Sequence, residues 1–326
     1  MKKLVARLFP GAFMILLFAC GGRNLQHAET ATVTPSAEEV SYEDFLRARA
    51  IARTAADSLL EALQDIDYVI QKQGLTVENG IPLSEVYLQM GKAEQAQQAL
   101  YSVLELHPED PELFVAMARL FLIRQNYMMC HHYASQAYEK DNTLTTPVFY
   151  DGLAYAEEGD TSKAINCFSN VLLVDDAHYE ALIQLGLMYS QRGNPLALQY
   201  LERALQIQPD SMEALHLLGL FQQESEDYEE ALETYGNILA MNPTYVHALY
   251  NSGYIYLTTF FNYDSAVSYF DRVVSLEPDY VDALYNLGYS YELRGDFMNA
   301  RKYFRRVLEL NPGYVYAIQG IQRVRK

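Results

Sequence analysis

The chain has 326 residues and a formal charge of −18, from 24 lysines and arginines against 42 aspartates and glutamates. An acidic body of this kind repels nucleic-acid phosphates, and it does not adhere by charge to an anionic membrane. Tyrosine is abundant at 27 residues and tryptophan is absent.

Met1-Lys2-Lys3 with Arg7 forms a positive start, and Leu8 to Ala19 is an apolar run too short to serve comfortably as a final membrane span. The run closes on Leu17-Phe18-Ala19-Cys20-Gly21-Gly22. This arrangement resembles a bacterial lipoprotein signal, in which a leucine three residues before a cysteine and a small residue just before it precede cleavage. The resemblance implies a signal peptide over 1–19 and Cys20 as the lipid-bearing first residue of a mature chain whose charge is −21. Residue 21 is glycine rather than aspartate and no acidic cluster comes after it. For a Gram-negative source the implied address is the outer membrane, facing the periplasm. An ordinary cleaved secretory signal and an uncleaved anchor are the other readings of these residues.

The segment 20–37 is polar, rich in Gly, Thr, Ser and Pro, and without apolar periodicity; it reads as a lipidated flexible tether spanning about 20–25 Å. Within 38–76, Ser41 and Asp44 form a capping pair. Phe45, Ala48, Ala55, Leu59, Leu63, Ile66 and Ile70 then trace one apolar stripe. A helix over 41–72 is expected to cover the open face of the first of the repeats beginning at Val77, because end repeats need capping. A dimerisation helix is the alternative.

From Val77 to Tyr314 a pattern recurs about every 34 residues. Its last copy carries Leu287-Gly288, Tyr291, Ala300, Phe304, Val307 and Pro312, and earlier copies repeat these marks at Gly253, Ala266, Phe270 and Pro278 and again at Gly219, Ala231, Tyr235 and Pro243. The copies phase as 77–110, 111–144, 145–178, 179–211, 212–245, 246–280 and 281–314, with the length differences expected in the turn between two helices. A fixed period of this size means stacked helix pairs that cannot bury their apolar faces alone. Gly159-Asp160, Gly193-Asn194 and Gly295-Asp296 supply a stop and then a new cap. Gly152, Gly186, Gly219, Gly253 and Gly288 are expected to face Ala164, Ala197, Ala231, Ala266 and Ala300 across each helix pair. Ser84 and Ala118 replace the glycine, Cys130 one alanine, and Asn142 and Asp176 the proline; Pro82 is expected to degrade or shorten the first helix of the first copy. Val315 to Lys326 reads as a closing cap with Ile318, Ile321 and Val324 inward.

Over about three quarters of the chain these marks resemble the tetratricopeptide repeat (TPR) family. The resemblance implies an all-α, right-handed superhelical solenoid of about seven helix-turn-helix repeats, with capping helices over 38–76 and 315–326. It also implies that positions two, five, six and nine of each copy line a groove that takes peptides or partner helices. Phe149, Tyr150, His216, Tyr250, Asn251, Tyr254, Tyr285, Asn286 and Tyr289 fall on these positions, beside the acidic Glu112, Glu180, Glu213 and Asp282. The family's clamp for a terminal carboxylate needs Lys, Asn and Arg there. Positions two and five carry no Lys or Arg in any copy, and position nine carries only Arg119. The expected ligand is instead an aromatic or basic protein segment, gripped by tyrosine faces and asparagine amides. The alternative is that these tyrosines pack between helices.

No chemistry-bearing constellation is recognisable, so neither an enzyme nor a cofactor is expected. In Cys130-His131-His132 successive side chains point about 100° apart on a helix and do not converge on one metal ion. Cys130 reads as a core thiol beside surface histidines, and a Cys130–Cys167 disulfide as an open alternative. The expected function is a non-enzymatic, lipid-anchored adaptor in cell-envelope assembly, serving a pilus, a secretion channel or a cell-wall enzyme. A glycan- or small-molecule-binding uptake component and a self-associating structural protein are the other readings.

Overall fold

The computed structural model describes residues 56–325. The leader 1–19, Cys20, the tether 20–37 and the first part of the 38–76 segment lie outside the described residues. Among the described residues there are sixteen α-helices and no strand, and no helix is long and apolar enough to cross a membrane. They fall into two compact units, one ending at Cys167 and the other beginning at Phe168.

In the first unit, α1 (Ala56–Gln73) is followed by the pairs α2 (Val77–Gln89) and α3 (Ala93–Leu106), then α4 (Pro111–Ile123) and α5 (Tyr127–Lys140), and by α6 (Thr145–Glu157). Helix α1 buries Ala62 and Ile66 against Leu83, Val86 and Ala99 of the first pair, which is how a cap covers an end repeat. Pro82 does not shorten α2, which runs its full 13 residues around it. As the sixth residue of α2, Pro82 forgoes the one bond that an amide there would make to the Glu78 carbonyl, and the helix continues past it. Thr76 and Asn79 close a capping box just ahead of it.

The helix Thr161–Val174 is α7, and the second unit continues with α8 (Tyr179–Ser190), α9 (Leu196–Ile207), α10 (Met212–Glu224), α11 (Tyr228–Met241), α12 (Val246–Thr258), α13 (Tyr263–Leu276), α14 (Val281–Leu293), α15 (Phe297–Leu310) and α16 (Val315–Arg323). Every intrapair turn places one residue in the left-handed region: Gly91, Gln125, Gly159, Gly193, Glu226, Phe261 and Gly295. Asp160 and Asp296 then cap the next helix through the backbone amides of Lys163 and Asn299.

The longer copy takes its extra residue in the turn Thr259–Asn262, and in the shorter copy the turn Gln191–Pro195 ends on Pro195, the N-cap of the second helix. Where Asn142 and Asp176 replace the proline, the second helix still stops. At Asp141 and Asp175 a side-chain oxygen accepts from the amide two residues on, and this Asx turn draws the chain out of the helix. One expectation changes: the side chains nearest to Gly186, Gly219 and Gly288 are not the alanines but larger residues. A Cβ at Gly186 would lie 2.6 Å from Leu201, at Gly219 2.6 Å from Tyr235, and at Gly288 3.0 Å from Phe304. Each glycine therefore makes room for the large residue four positions beyond the alanine, while Ala197, Ala231, Ala266 and Ala300 are fully buried elsewhere in the same crossings. In α16, Ala317, Gly320 and Val324 face inward and Ile318 is exposed, because Phe304 fills the space above Gly320 (2.6 Å to its would-be Cβ).

Candidate functional site

The groove positions lie in both units, and each set is described by itself. In the first unit Phe149 is buried and Tyr150 half-buried, with ring centroids 6.2 Å apart. Arg119, the lone basic residue at a groove position, is paired with Glu85. The neighbouring Cys-His segment is tied in by carboxylates. His131 Nδ1 lies 2.5 Å from Asp151 and its Nε2 3.2 Å from Glu158, and its ring sits 4.1 Å from that of Tyr155. It is not the simple surface histidine expected from its place in the sequence. Cys130 and Cys167 are free thiols; Cys130 donates toward the Tyr150 carbonyl and Cys167 toward Asp151. Burial, then the Asp151 charge, pushes both thiols up to about 12, so neither is poised as a nucleophile.

In the second unit α12 touches α14, which sets Tyr250, Asn251 and Tyr254 beside Tyr285, Asn286 and Tyr289, and the ring of His216 on α10 lies 5.6 Å from that of His247 on α12. The two asparagines do not present free amides. Asn251 donates to the Tyr235 hydroxyl at 3.1 Å, and Asn286, itself buried, donates to the Tyr250 hydroxyl at 3.0 Å. Tyr250 is largely packed: its ring stacks on Tyr280 at 5.2 Å and meets Phe270 edge-on at 5.6 Å. Tyr250 thus packs between helices, and one N–H of each asparagine is engaged within the fold. Tyr254, Tyr285 and Tyr289 remain half-buried, with Tyr285 and Tyr289 stacked 6.1 Å apart and nearly parallel.

The structure adds a row that the sequence reading missed. The last residue of each copy precedes the next first helix, and in three copies it is a tyrosine: Tyr245, Tyr280 and Tyr314. Each leans on position five of its own copy, Tyr245 against His216 at 5.7 Å, Tyr280 against Tyr250, and Tyr314 against Tyr285 at 5.4 Å. Recurrence at that one position was the available signal. Acidic residues border the row. Tyr314 donates to Asp282 at 3.0 Å, and Tyr179 shares a 2.5 Å hydrogen bond with Ser211. Burial, then the Glu180 charge, raises the Glu213 carboxyl above the usual carboxylate range. Burial, then His247, lowers His216 to about 4, and its Nδ1 is buried with no partner among the described residues. The face is thus aromatic, electronegative and without a cation at its centre. Its basic residue, Arg323, sits at the far end, bidentate on Glu292 at 2.5 and 2.8 Å.

Among the described residues no group of three or more His, Cys, Asp or Glu is arranged to hold a metal ion. A family model for the tetratricopeptide repeat protein 21 N-terminal ARM repeat matches residues 119–320, and a tetratricopeptide repeat model matches residues 83–110. Over 136 residues the chain is 24% identical to anaphase-promoting complex subunit 3 of Schizosaccharomyces pombe, covering 41% of this chain and 20% of that protein. Over 207 residues it is 27% identical to the peroxisomal targeting signal receptor of Candida albicans, covering 60% of this chain and 34% of the relative. The matched stretches span about a third of these curated relatives or less. Solved structures of similar fold include a tetratricopeptide repeat protein from Parabacteroides merdae (16% identity, TM-score 0.52, 81% of this chain and 100% of that one). Another is the C-terminal part of a TPR repeat-containing protein from Cytophaga hutchinsonii (17%, TM-score 0.52, 86% and 98%). At these identities the likeness is one of fold.

Proposed function

The chain belongs to the tetratricopeptide repeat family, a protein-interaction scaffold, and from that premise we propose that the first-helix face of its second unit grips a basic or aromatic segment of a protein partner. The observation that carries this reading is the row Tyr245, Tyr280 and Tyr314 bordered by Glu213 and Asp282, with half-buried Tyr254, Tyr285 and Tyr289 beside it. Tyrosine faces supply contact area at low entropic cost, and a guanidinium or ammonium of the ligand gains both from the ring faces and from the partly desolvated carboxylates. A role as receptor or assembly subunit, as the names of the two curated relatives express, fits a face of this kind.

The start of the chain supports a location. The lipoprotein-like Leu17-Phe18-Ala19-Cys20 run favours a scaffold held on a membrane through lipid at Cys20, at the outer membrane facing the periplasm, where it serves envelope assembly. Mass spectrometry of the mature protein tests this part separately: an intact leader and an unmodified Cys20 remove it.

The groove reading is tested by Tyr254→Ala/Tyr289→Ala against a peptide array. Both side chains are half-buried, so the pair is expected to lower stability by about 2–3 kcal/mol at most while binding of Arg- and aromatic-rich peptides falls at least tenfold. Binding unchanged in a folded variant overturns it.

A further inference from the structure

The charge of this chain is not evenly spread. Of its 24 lysines and arginines, eight lie in residues 294–326, where only Asp296 and Glu309 carry acidic charge. Several of these cations are paired: Arg306 with Asp279 and Glu309, Arg294 with Asp264, and Arg323 with Glu292. Three others on α15 stand differently. Lys302 and Arg305 are exposed and meet no carboxylate among the described residues; Lys302 only lies over the Tyr303 ring, 5.0 Å from its centroid. Arg301 donates to the Val324 carbonyl, and its Nε is left without an acceptor.

These residues share one face of α15. Met298, Arg301, Lys302 and Arg305 succeed one another at helical spacing and line a shallow depression of about 360 Å³. Met298 is 78% exposed and the adjacent Phe297 48% exposed. The apolar stripe of α15, Ala300, Phe304 and Val307, is buried in the repeat core, so what reaches solvent is the pair Phe297 and Met298 beside a run of cations, whose charge complements anionic headgroups. The acidity of the whole chain does not cancel the patch, since the Debye length at physiological salt is about 8 Å and neighbouring helix axes are already 8–10 Å away.

We propose that this face of α15 docks against anionic phospholipid, with headgroup phosphates on Lys302 and Arg305 and with Met298 and Phe297 entering the interface. The membrane contact is local, and it stands apart from both the first-helix face and the lipid at Cys20.

The test uses the full chain carrying Cys20→Ser, so that no thioether lipid contributes, with vesicles of phosphatidylglycerol or of phosphatidylcholine. The parent protein is expected to bind the anionic vesicles at least tenfold more tightly, with a preference that shrinks as salt rises. Lys302→Glu/Arg305→Glu changes two exposed side chains that meet no carboxylate; it is expected to keep its melting curve and lose most of that preference. Met298→Ser is expected to weaken binding to both vesicle types about threefold. If the charge reversal fails to fold, Lys302→Gln/Arg305→Gln is judged by the same criterion. Vesicle binding equal in parent and variant overturns the proposal. So does binding of a polyglutamate peptide by a parent protein that shows no preference for anionic vesicles.

Discussion

The first-helix face of the second unit and the outer face of α15 use polar groups in opposite ways. On the first, the polar tips that the sequence offered as peptide grips are already engaged, Asn251 on Tyr235 and Asn286 on Tyr250. On the second, Lys302 and Arg305 meet no carboxylate among the described residues. The difference separates structure from recognition more sharply than residue type does. A buried amide must find a partner within the fold or lose its hydration without return, whereas an exposed cation keeps its water until a ligand arrives.

The largest effect should come from the packing beneath the aromatic row. Phe304 is fully buried, lies over Gly288 and Gly320, and sits 5.8 Å from Tyr285. Phe304→Ala is expected to cost about 3–5 kcal/mol, read as a lower urea midpoint, and to loosen Tyr285 with it. Should stability survive while peptide binding is lost, the row is recognition surface down to its base.

A pH experiment probes the same row at its other end. The His216 imidazole is held down at about 4 against an ordinary 6.5, so the unfolded chain takes up a proton at a higher pH than the folded one does. The stabilisation is complete above about pH 6.5 and is lost as pH falls toward 4. It amounts to about 2 kcal/mol after allowance for partial exposure. Urea unfolding at pH 7 and pH 4.5 should show this component in the parent and not in His216→Phe.

The smallest expected effect is a gain. Phe261 holds a φ of 51° where Gly159 and Gly295 stand in other copies, and it is 65% exposed. Phe261→Gly should relieve the left-handed strain of a bulky residue, in part offset by the greater freedom of glycine in the unfolded chain. A net gain of about 1 kcal/mol is expected, seen as a rise in melting temperature of a few degrees.

Much of the architecture was legible because it repeats. A left-handed stop and the Asx cap next to it, as in Gly295-Asp296, form a local event encoded in adjacent residues. The same stop at Gln125, Glu226 and Phe261 carries no local mark, since there the two packed helices impose the conformation on whatever residue lies between them. The candidate site was half legible. The half-buried Tyr254, Tyr285 and Tyr289 could be placed from their positions in the copy, but the tyrosines that end each copy could not be, because their role depends on how one first helix lies against the next.

By itself the sequence determined the helix pairs, their number, their caps and the acidic balance of the whole, all of which stem from spacing and composition. Only the tertiary structure decided that each glycine lies beneath a ring or a leucine rather than beside an alanine, and which amides are engaged. It alone separated the paired cations of the last repeat from the unpaired ones. Those outcomes depend on the rotation and separation of packed helices, which the summed fit of many side chains sets and no single period encodes.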